Sequence, residues 1–197
     1  MTMKNSNQAA VATATQWLTD NCLILDTETT GLDRGSEIIE IAIINCNRQV
    51  LLNTLVQPLN SIPDATTAIH GITNEMVARA PSWDEVHKQV IALIFSHGFI
   101  AYNSEYDARL IIQSAKVYGL DSLAFRQLIN SSHDCAMLLY AEFYGQWDER
   151  RENYKRQKLT AAAQQQGVAV DGQPHRALAD CLLTLGVIKA IAAGGAE

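Results

Sequence analysis

Two rhythms of apolar and polar positions divide the chain, short apolar runs near the start and helical spacings after them. Residues 22–26 form an apolar run rich in Leu and Ile, short enough to be a buried strand. Gly31, Asp33 and Gly35 mark a turn. Residues 37–45 and 50–58 then read as two more strands joined tightly through 47–49, which makes the opening a three-stranded meander. Loop and short helix follow over 61–80, punctuated by Pro63, Gly71 and Pro81. Ser82, with Glu85 three residues on, is a capping box. It opens a helix to about Ser96 whose apolar positions Val86, Val90, Leu93 and Ile94 recur at helical spacing. A strand is predicted over 99–102, a helix over 105–118 closed by Gly119, a helix over 122–129 and a strand over 132–135. Helices over 136–144 and 158–166 come next, and Pro174 opens a last helix that runs to about Ala192. Three strands followed by strands alternating with helices predict an α/β fold, a five-stranded sheet of mixed direction with helices on both faces.

Composition narrows this further. The chain has 197 residues, 48% hydrophobic and 18% charged, enough apolar mass for one core and a length that suits one domain. Residues 1–20 are rich in Ala, Thr, Asn and Gln, with Val11, Trp17 and Leu18 as their only large apolar anchors. They read as an N-terminal extension, loose at first and then a short helix that docks late, ahead of a domain over 21–193 and a tail over 194–197. The longest apolar runs, 38–44 and 90–95, fall far short of the roughly 18 residues of a bilayer span, so no membrane association is expected. The first ten residues have no apolar segment of the secretory type. Cys22, Cys46, Cys135 and Cys181 are scattered without a CxxC pair, which points away from zinc and disulfides and toward a cytoplasmic location. A net charge of −6 weighs against a groove binder of duplex DNA, but not against an enzyme whose carboxylates hold divalent cations.

Three stretches carry candidate chemistry. In Asp26-Thr27-Glu28 the two acids point to one face of a strand, at the place where the apolar run stops. Such a pair either faces water or is balanced by a hard divalent cation. Asp107 lies in the first turn of a helix that follows a strand, at the sheet edge where open α/β sheets place ligands, and an acid there also complements the helix dipole. His175 and Asp180 are five residues apart, about 140° around a regular helix, so they share a site only if His175 sits at the helix mouth. With Pro174 in the first turn, Asp180 is expected in the second. A carboxylate on the partly buried face of an Ala/Leu-rich helix demands a partner, which makes Asp180 the most telling of the set.

DTETTGL at 26–32, NSEYDARL at 103–110 and HRALAD at 175–180 resemble, in order and spacing, the three motifs of the DEDDh 3′–5′ exonucleases, the DnaQ-like group of the ribonuclease H-like superfamily. Residues 62–86 resemble that family's HGI segment, and the resemblance covers roughly 22–192. It implies a ribonuclease H-like fold and two divalent ions, Mg²⁺ with Mn²⁺ as substitute, on Asp26, Glu28, Asp107 and Asp180. His175 takes the general-base position. The same resemblance implies that Thr29, Thr30, Gly31 and Leu32 line the 3′-terminal nucleotide, that His70, Gly71 and Ile72 touch the same end, and that Asn103 meets phosphate. Tyr106 replaces a frequent Phe and brings a hydroxyl toward the substrate. The implied activity is hydrolysis of single-stranded nucleic acid from its 3′ end, with DNA favoured and RNA the alternative. A non-catalytic nucleic-acid-binding subunit is the reading from another class, and the intact set of four acids and His175 speaks against it. Many stand-alone relatives dimerise, so a homodimer is a candidate assembly. The short end after the last helix favours a stand-alone enzyme over a polymerase partner.

Several residues compete with this set. His133-Asp134-Cys135 looks like a metal corner, with strand-end or helix-cap duty expected for Asp134. Glu40 interrupts an apolar strand on the face of Ile38, Ala42 and Ile44, where a hydrogen-bonded structural acid is expected. His87 and His97 are assigned to surface or core. Arg150, Arg151, Lys155, Arg156 and Lys158 invite a nucleic-acid reading, yet the interleaved Asp148, Glu149 and Glu152 favour a solvated face with a Glu152–Arg156 i,i+4 pair. Trp17, Trp83 and Trp147 serve equally as packing anchors or stacking platforms.

Overall fold

A computed structural model describes residues 3–169 and 175–195, with side chains from residue 7 onward. In chain order the elements are α1 (Met3–Thr19), β1 (Leu23–Thr29), β2 (Ile38–Asn45), β3 (Val50–Leu55), α2 (Asp64–His70), α3 (Asn74–Val77), α4 (Trp83–His97) and β4 (Phe99–Ala101). Then come α5 (Ser104–Val117), α6 (Leu123–Ser131), β5 (His133–Cys135), α7 (Ala136–Tyr144), β6 (Trp147–Asp148), β7 (Asn153–Tyr154), α8 (Leu159–Gln165) and α9 (Ala177–Ala192). None of the described helices is long and apolar enough to cross a membrane.

The main sheet has the order β3-β2-β1-β4-β5. β1 pairs antiparallel with β2, and β2 with β3, whereas β1–β4 and β4–β5 are parallel. This is the mixed five-stranded α/β sheet that the pattern predicts. Alternation along the strands feeds two cores. Ile24, Ala42 and Ile44 face α1, α7, α8 and α9, where Tyr140, Leu185 and Ile188 pack. Leu25, Ile41 and Ile43 face α4, α5 and α6, where Trp83, Leu110 and Phe125 pack. Each fully buried Leu, Ile or Phe contributes on the order of 1.5–3 kcal/mol, so both faces hold the sheet firmly.

Local chemistry explains the joints. The Ser82/Glu85 capping box forms as expected, with the Ser82 N–H donating to Glu85 Oε2 at 2.9 Å. Gly98 ends α4 with φ +61°, and a Cβ there would lie 2.7 Å from the Ser132 carbonyl oxygen, so only glycine passes from α4 into β4.

Several expectations are corrected. β1 runs three residues beyond the predicted Asp26 end, which puts both Asp26 and Glu28 inside the strand. The N-terminal stretch forms a helix of 17 residues rather than a loose start and short helix. Ala10, Ala14 and Trp17, at helical spacing, bury it against α7 and α9, and the Asn7 amide donates to the Phe143 carbonyl at 3.2 Å. A register shift opposite Glu28/Thr29 moves Ile38 off the Glu40 face and into the core of Ile41 and Ile43. Pro174, expected to open the last helix, lies outside the described residues. That helix begins at Ala177 with Arg176 as its N-cap, so Asp180 falls in its first turn rather than its second. The 147–154 stretch is a hairpin with Glu152 at φ +51°, so no helical Glu152–Arg156 pair forms.

Candidate active site

Asp26 and Glu28, two residues apart on β1, face the start of α9, and Asp180 meets them from the first turn of that helix. One carboxylate oxygen from each of the three lies within 4.8 Å of the other two. Thr27, between the two acids, points to the opposite face. There its hydroxyl donates to Asp107 Oδ1 at 2.8 Å, tying the first turn of α5 to β1. Asp107 is buried. Three acids from β1 and α9 thus cluster at one end of the central strand, and Asp107 of α5 is tied to the same end through Thr27.

Their electrostatics follow from that crowding. Burial, then the neighbouring charges of Asp107, Asp180, Glu28 and Glu40, holds the Asp26 carboxyl well above its ordinary range. Glu28 is pushed up to about 8, by burial first and then by Asp180, Glu40 and Asp107, with Arg176 pulling the other way. Burial raises Asp107 to about 7 despite the Thr27 hydrogen bond. Asp180 is also raised by burial, and the charge and backbone N–H of His175 act against the shift. Carboxylates that protonate for want of counter-charge, offering only oxygen donors at this spacing, fit a hard divalent cation.

His175 stands just before the Arg176 cap, exposed, with φ +59°. A non-glycine residue in the left-handed region carries strain that the surroundings must hold, and such residues cluster at functional sites. What holds this junction is Arg176. Its Nε lies 3.0 and 3.1 Å from the two Glu40 carboxylate oxygens and its Nη2 lies 2.5 Å from Oε1, while the Ala177 N–H donates to Glu40 Oε2 at 2.9 Å. Glu40 is therefore the hydrogen-bonded structural acid the sequence suggests, and its partner is the residue between His175 and α9.

Beside the acids runs the 29–36 loop. The Thr29 hydroxyl donates to the Gly31 carbonyl at 2.8 Å, and Thr30 Oγ1 accepts the Glu37 N–H at 2.9 Å. A Cβ on Gly31 would come 2.9 Å from Ser36 Oγ. Leu32 is left 81% exposed at the tip, and Arg109 reaches its carbonyl from α5. The Tyr106 hydroxyl, expected toward the substrate, lies against the 29–31 loop. It donates to the Gly31 carbonyl at 2.9 Å and lies 2.8 Å from Thr29 Oγ1. Asn103 caps α5 through its backbone only, and the residue is exposed.

His70 is buried at the end of α2. Its Nδ1 accepts the Ile72 N–H at 3.0 Å, so the proton sits on Nε2, beside the Thr29 backbone. Burial lowers its pKa. Gly71 takes the left-handed cap at φ 73°. Ile72, implied as a substrate contact, is instead fully buried with Ile39, Ile62 and Val77, because its apolar side chain fills the small core under α2 and α3.

The rival residues lie elsewhere. Asp134 is exposed on β5 opposite Ile100, and His133 Nδ1 pairs with Ser104 Oγ at 2.8 Å. His87 packs between the Trp83 and Phe125 rings. Two contributors escaped the sequence reading, Thr27 as donor to Asp107 and Arg176 as clamp on Glu40. A threonine between two strand acids and an acid inside an apolar strand were their only signals.

With this geometry in hand, the chain can be set beside known proteins. The RNase T family model, described as an exonuclease, matches residues 23–188. Uncharacterized exonuclease CP81 of Escherichia phage 186 is 49% identical over 194 residues, covering 98% of this chain and 100% of its own length. Exonuclease X, solved in complex with 5′ overhanging duplex DNA, is 27% identical with a TM-score of 0.58, over 86% of this chain and 90% of its own. The nuclease domain of 3′hExo, a DEDDh family member bound to rAMP, shares 21% identity and a TM-score of 0.64, over 88% of this chain and 92% of its own.

Proposed function

The chain belongs to the DEDDh exonuclease family, and on that premise we propose that it is a 3′–5′ exonuclease releasing nucleoside monophosphates from single-stranded nucleic acid, DNA in preference to RNA. The observation that carries the reading is the convergence of Asp26, Glu28 and Asp180 within 4.8 Å, with Asp107 joined to the same strand through Thr27. In this reading those four carboxylates hold two divalent cations, Mg²⁺ with Mn²⁺ as substitute, which when bound supply Lewis-acid activation and charge neutralisation for phosphodiester hydrolysis. His175, exposed beside Asp180, takes a proton from the attacking water on its imidazole ring. Water adds at the terminal phosphorus, the bond to the 3′ oxygen of the preceding nucleotide breaks and that oxygen takes up a proton from solvent, freeing a nucleoside 5′-monophosphate and a new 3′ hydroxyl.

Leu32, held out by a loop pinned to Thr29, Tyr106 and Arg109, is suited to wedge against the last base and splay it from its neighbour. The exposed Asn103 amide offers a donor to the phosphate of that end, and buried His70 supports the neighbouring Thr29 backbone from behind. DNA is supported by the 27% identity to Exonuclease X, which was solved on DNA. We take residues 21–193 as the catalytic unit.

The test is to incubate the purified chain with 5′-labelled single-stranded DNA and, separately, RNA, in Mg²⁺, Mn²⁺ or EDTA, beside Asp26→Asn and His175→Ala. A ladder shortening from the 3′ end is expected, faster on DNA, abolished by EDTA and by Asp26→Asn and strongly reduced by His175→Ala. Mg²⁺-supported cutting that survives Asp26→Asn overturns the site, and faster cutting of RNA overturns the DNA preference.

A further inference from the structure

The cations of the 150–158 stretch have no part in the machinery above, and the structure gives them a definite arrangement. β6 and β7 pair antiparallel, Trp147 opposite Tyr154 and Asp148 opposite Asn153. Arg150 and Arg151 occupy the turn, and Lys155, Arg156 and Lys158 follow the second strand. All five are exposed, and none forms an ion pair among the described residues. Of the three acids in the segment, Asp148 is occupied locally, since its Oδ1 accepts the N–H groups of Arg150 at 3.0 Å and Arg151 at 3.3 Å and so fixes the turn. Arg151, Lys155 and Arg156 converge with Asp148 and Asn153 on one cleft of about 440 Å³. Five cations against three acids make this a basic island in a chain of net charge −6.

The island is fastened to the catalytic edge. The Lys155 N–H donates to the Gln146 carbonyl at 2.8 Å, closing the base of the hairpin. The carbonyl of Gln157, between Arg156 and Lys158, accepts the hydroxyl of buried Tyr102 at 2.9 Å. Tyr102 directly follows β4 and precedes Asn103, so the basic segment hangs from the strand end that leads into the Asp107 helix. Trp147 meets Tyr154 edge-on, with ring centroids 5.2 Å apart, and remains 47% exposed beside the cations. Clustered Arg and Lys with an exposed aromatic ring is the chemistry that tracks a single strand, cations on phosphates and a ring on a base.

We infer that the 147–158 hairpin docks the phosphodiester backbone of the strand whose 3′ end enters the carboxylate site, with Arg151, Lys155 and Arg156 as its phosphate contacts. The substrate in this inference is taken from the exonuclease reading, while the place of contact comes from the hairpin alone. Docking of this kind is indifferent to sequence, sensitive to salt and stronger for strands long enough to reach from the site to the cleft.

The test measures binding without turnover. A labelled single strand of about 20 nucleotides is titrated by fluorescence anisotropy in EDTA, at several salt concentrations, against the full chain and the Arg151→Gln/Lys155→Gln/Arg156→Gln variant. A control triple, Arg79→Gln/Lys88→Gln/Lys189→Gln, makes the same change in net charge at exposed positions away from the hairpin. The hairpin variant is expected to weaken binding at least about tenfold near 0.1 M salt and to flatten the slope of log K against log salt by about 2, as loss of three single-strand phosphate contacts requires. The control triple is expected to keep both values near those of the unaltered chain. Equal losses in the two variants, or an unchanged slope in the hairpin variant, overturn the inference. The hydrolysis assay is separate, so a chain that binds the strand through the hairpin yet never shortens it overturns the exonuclease reading and leaves the docking site standing.

Discussion

Arg176 and Glu40 join positions 136 residues apart, the cap of the last helix to the middle of a central strand, through both carboxylate oxygens. Glu40 has only 5% of its side chain exposed, while Arg176 has 32%. That asymmetry decides which loss matters more. Arg176→Met strands a buried carboxylate with only the Ala177 N–H, whereas Glu40→Gln leaves a half-open guanidinium that water can reach and an amide oxygen that still accepts. Arg176→Met is expected to cost about 2–3 kcal/mol, below the ~3–5 kcal/mol of a fully buried broken pair because one partner is partly hydrated. Glu40→Gln is expected to cost about 1 kcal/mol. Urea denaturation of the two variants checks the order, and a larger loss for Glu40→Gln would refute it. The pair also seats His175 and Asp180, so kcat is expected to fall further in Arg176→Met than in Glu40→Gln.

The sequence made this site legible where local pattern and chemistry agreed. An apolar run ending in Asp26-Thr27-Glu28 reads as a strand with two acids on one face whatever the rest of the chain does. Glu40 inside an apolar strand likewise announces a buried acid that needs a partner. Its partner stayed hidden because Arg176 neighbours it only through the folded backbone. The hairpin was hidden for another reason. Asp148 to Lys158 alternates charges at spacings that suit a helix surface as well as a hairpin, and the left-handed Glu152 decides for the hairpin without any glycine to signal it. Ile38 lies on the face opposite to the one strict alternation predicts, because one register shift between Ile38 and Glu40, invisible in the apolar Ile38-Ile39 pair, reverses the alternation.

Tyr106 supplies a second prediction. Its hydroxyl, the Thr29 hydroxyl and the Gly31 carbonyl form a triangle with sides of 2.8, 2.8 and 2.9 Å. Two hydroxyl protons cannot fill three contacts, so one side of the triangle carries no hydrogen bond. Tyr106→Phe removes one donor and leaves the Thr29 bond to Gly31 intact. The expected cost is about 1 kcal/mol of stability, and the loop that carries Leu32 loosens. KM for a single-stranded substrate is therefore expected to rise several-fold with kcat within about twofold, as loss of positioning rather than of chemistry predicts. Steady-state kinetics on a labelled oligonucleotide read this split, and a fall in kcat with KM unchanged would show that the hydroxyl acts on the reacting groups instead.

The crowded carboxylates make stability depend on pH in an uncommon direction. Folding raises the proton affinity of Asp26, Glu28, Asp107 and Asp180, Glu28 to about 8 and Asp107 to about 7, from ordinary values of 4.5 and 3.8. Between those limits the folded chain holds more protons than the unfolded one, so stability falls as pH rises. The contribution of Glu28 and Asp107 is most favourable below about pH 4 and is lost as the pH rises through about 7 and 8, and the raised Asp26 and Asp180 act in the same direction. In EDTA the melting temperature is therefore expected to drop from pH 5 to pH 8, and Glu28→Gln, which removes one of the repelling charges, is expected to melt higher than the unaltered chain at pH 8. A divalent cation binds the deprotonated carboxylates, so the stabilisation it confers grows over the same interval. Thermal denaturation at matched ionic strength, with EDTA or with Mg²⁺, gives both trends. A melting temperature that climbs with pH in EDTA, together with a Glu28→Gln variant no more stable than its parent at pH 8, would mean that the four acids do not repel one another in the folded chain and that the cation site has been misread.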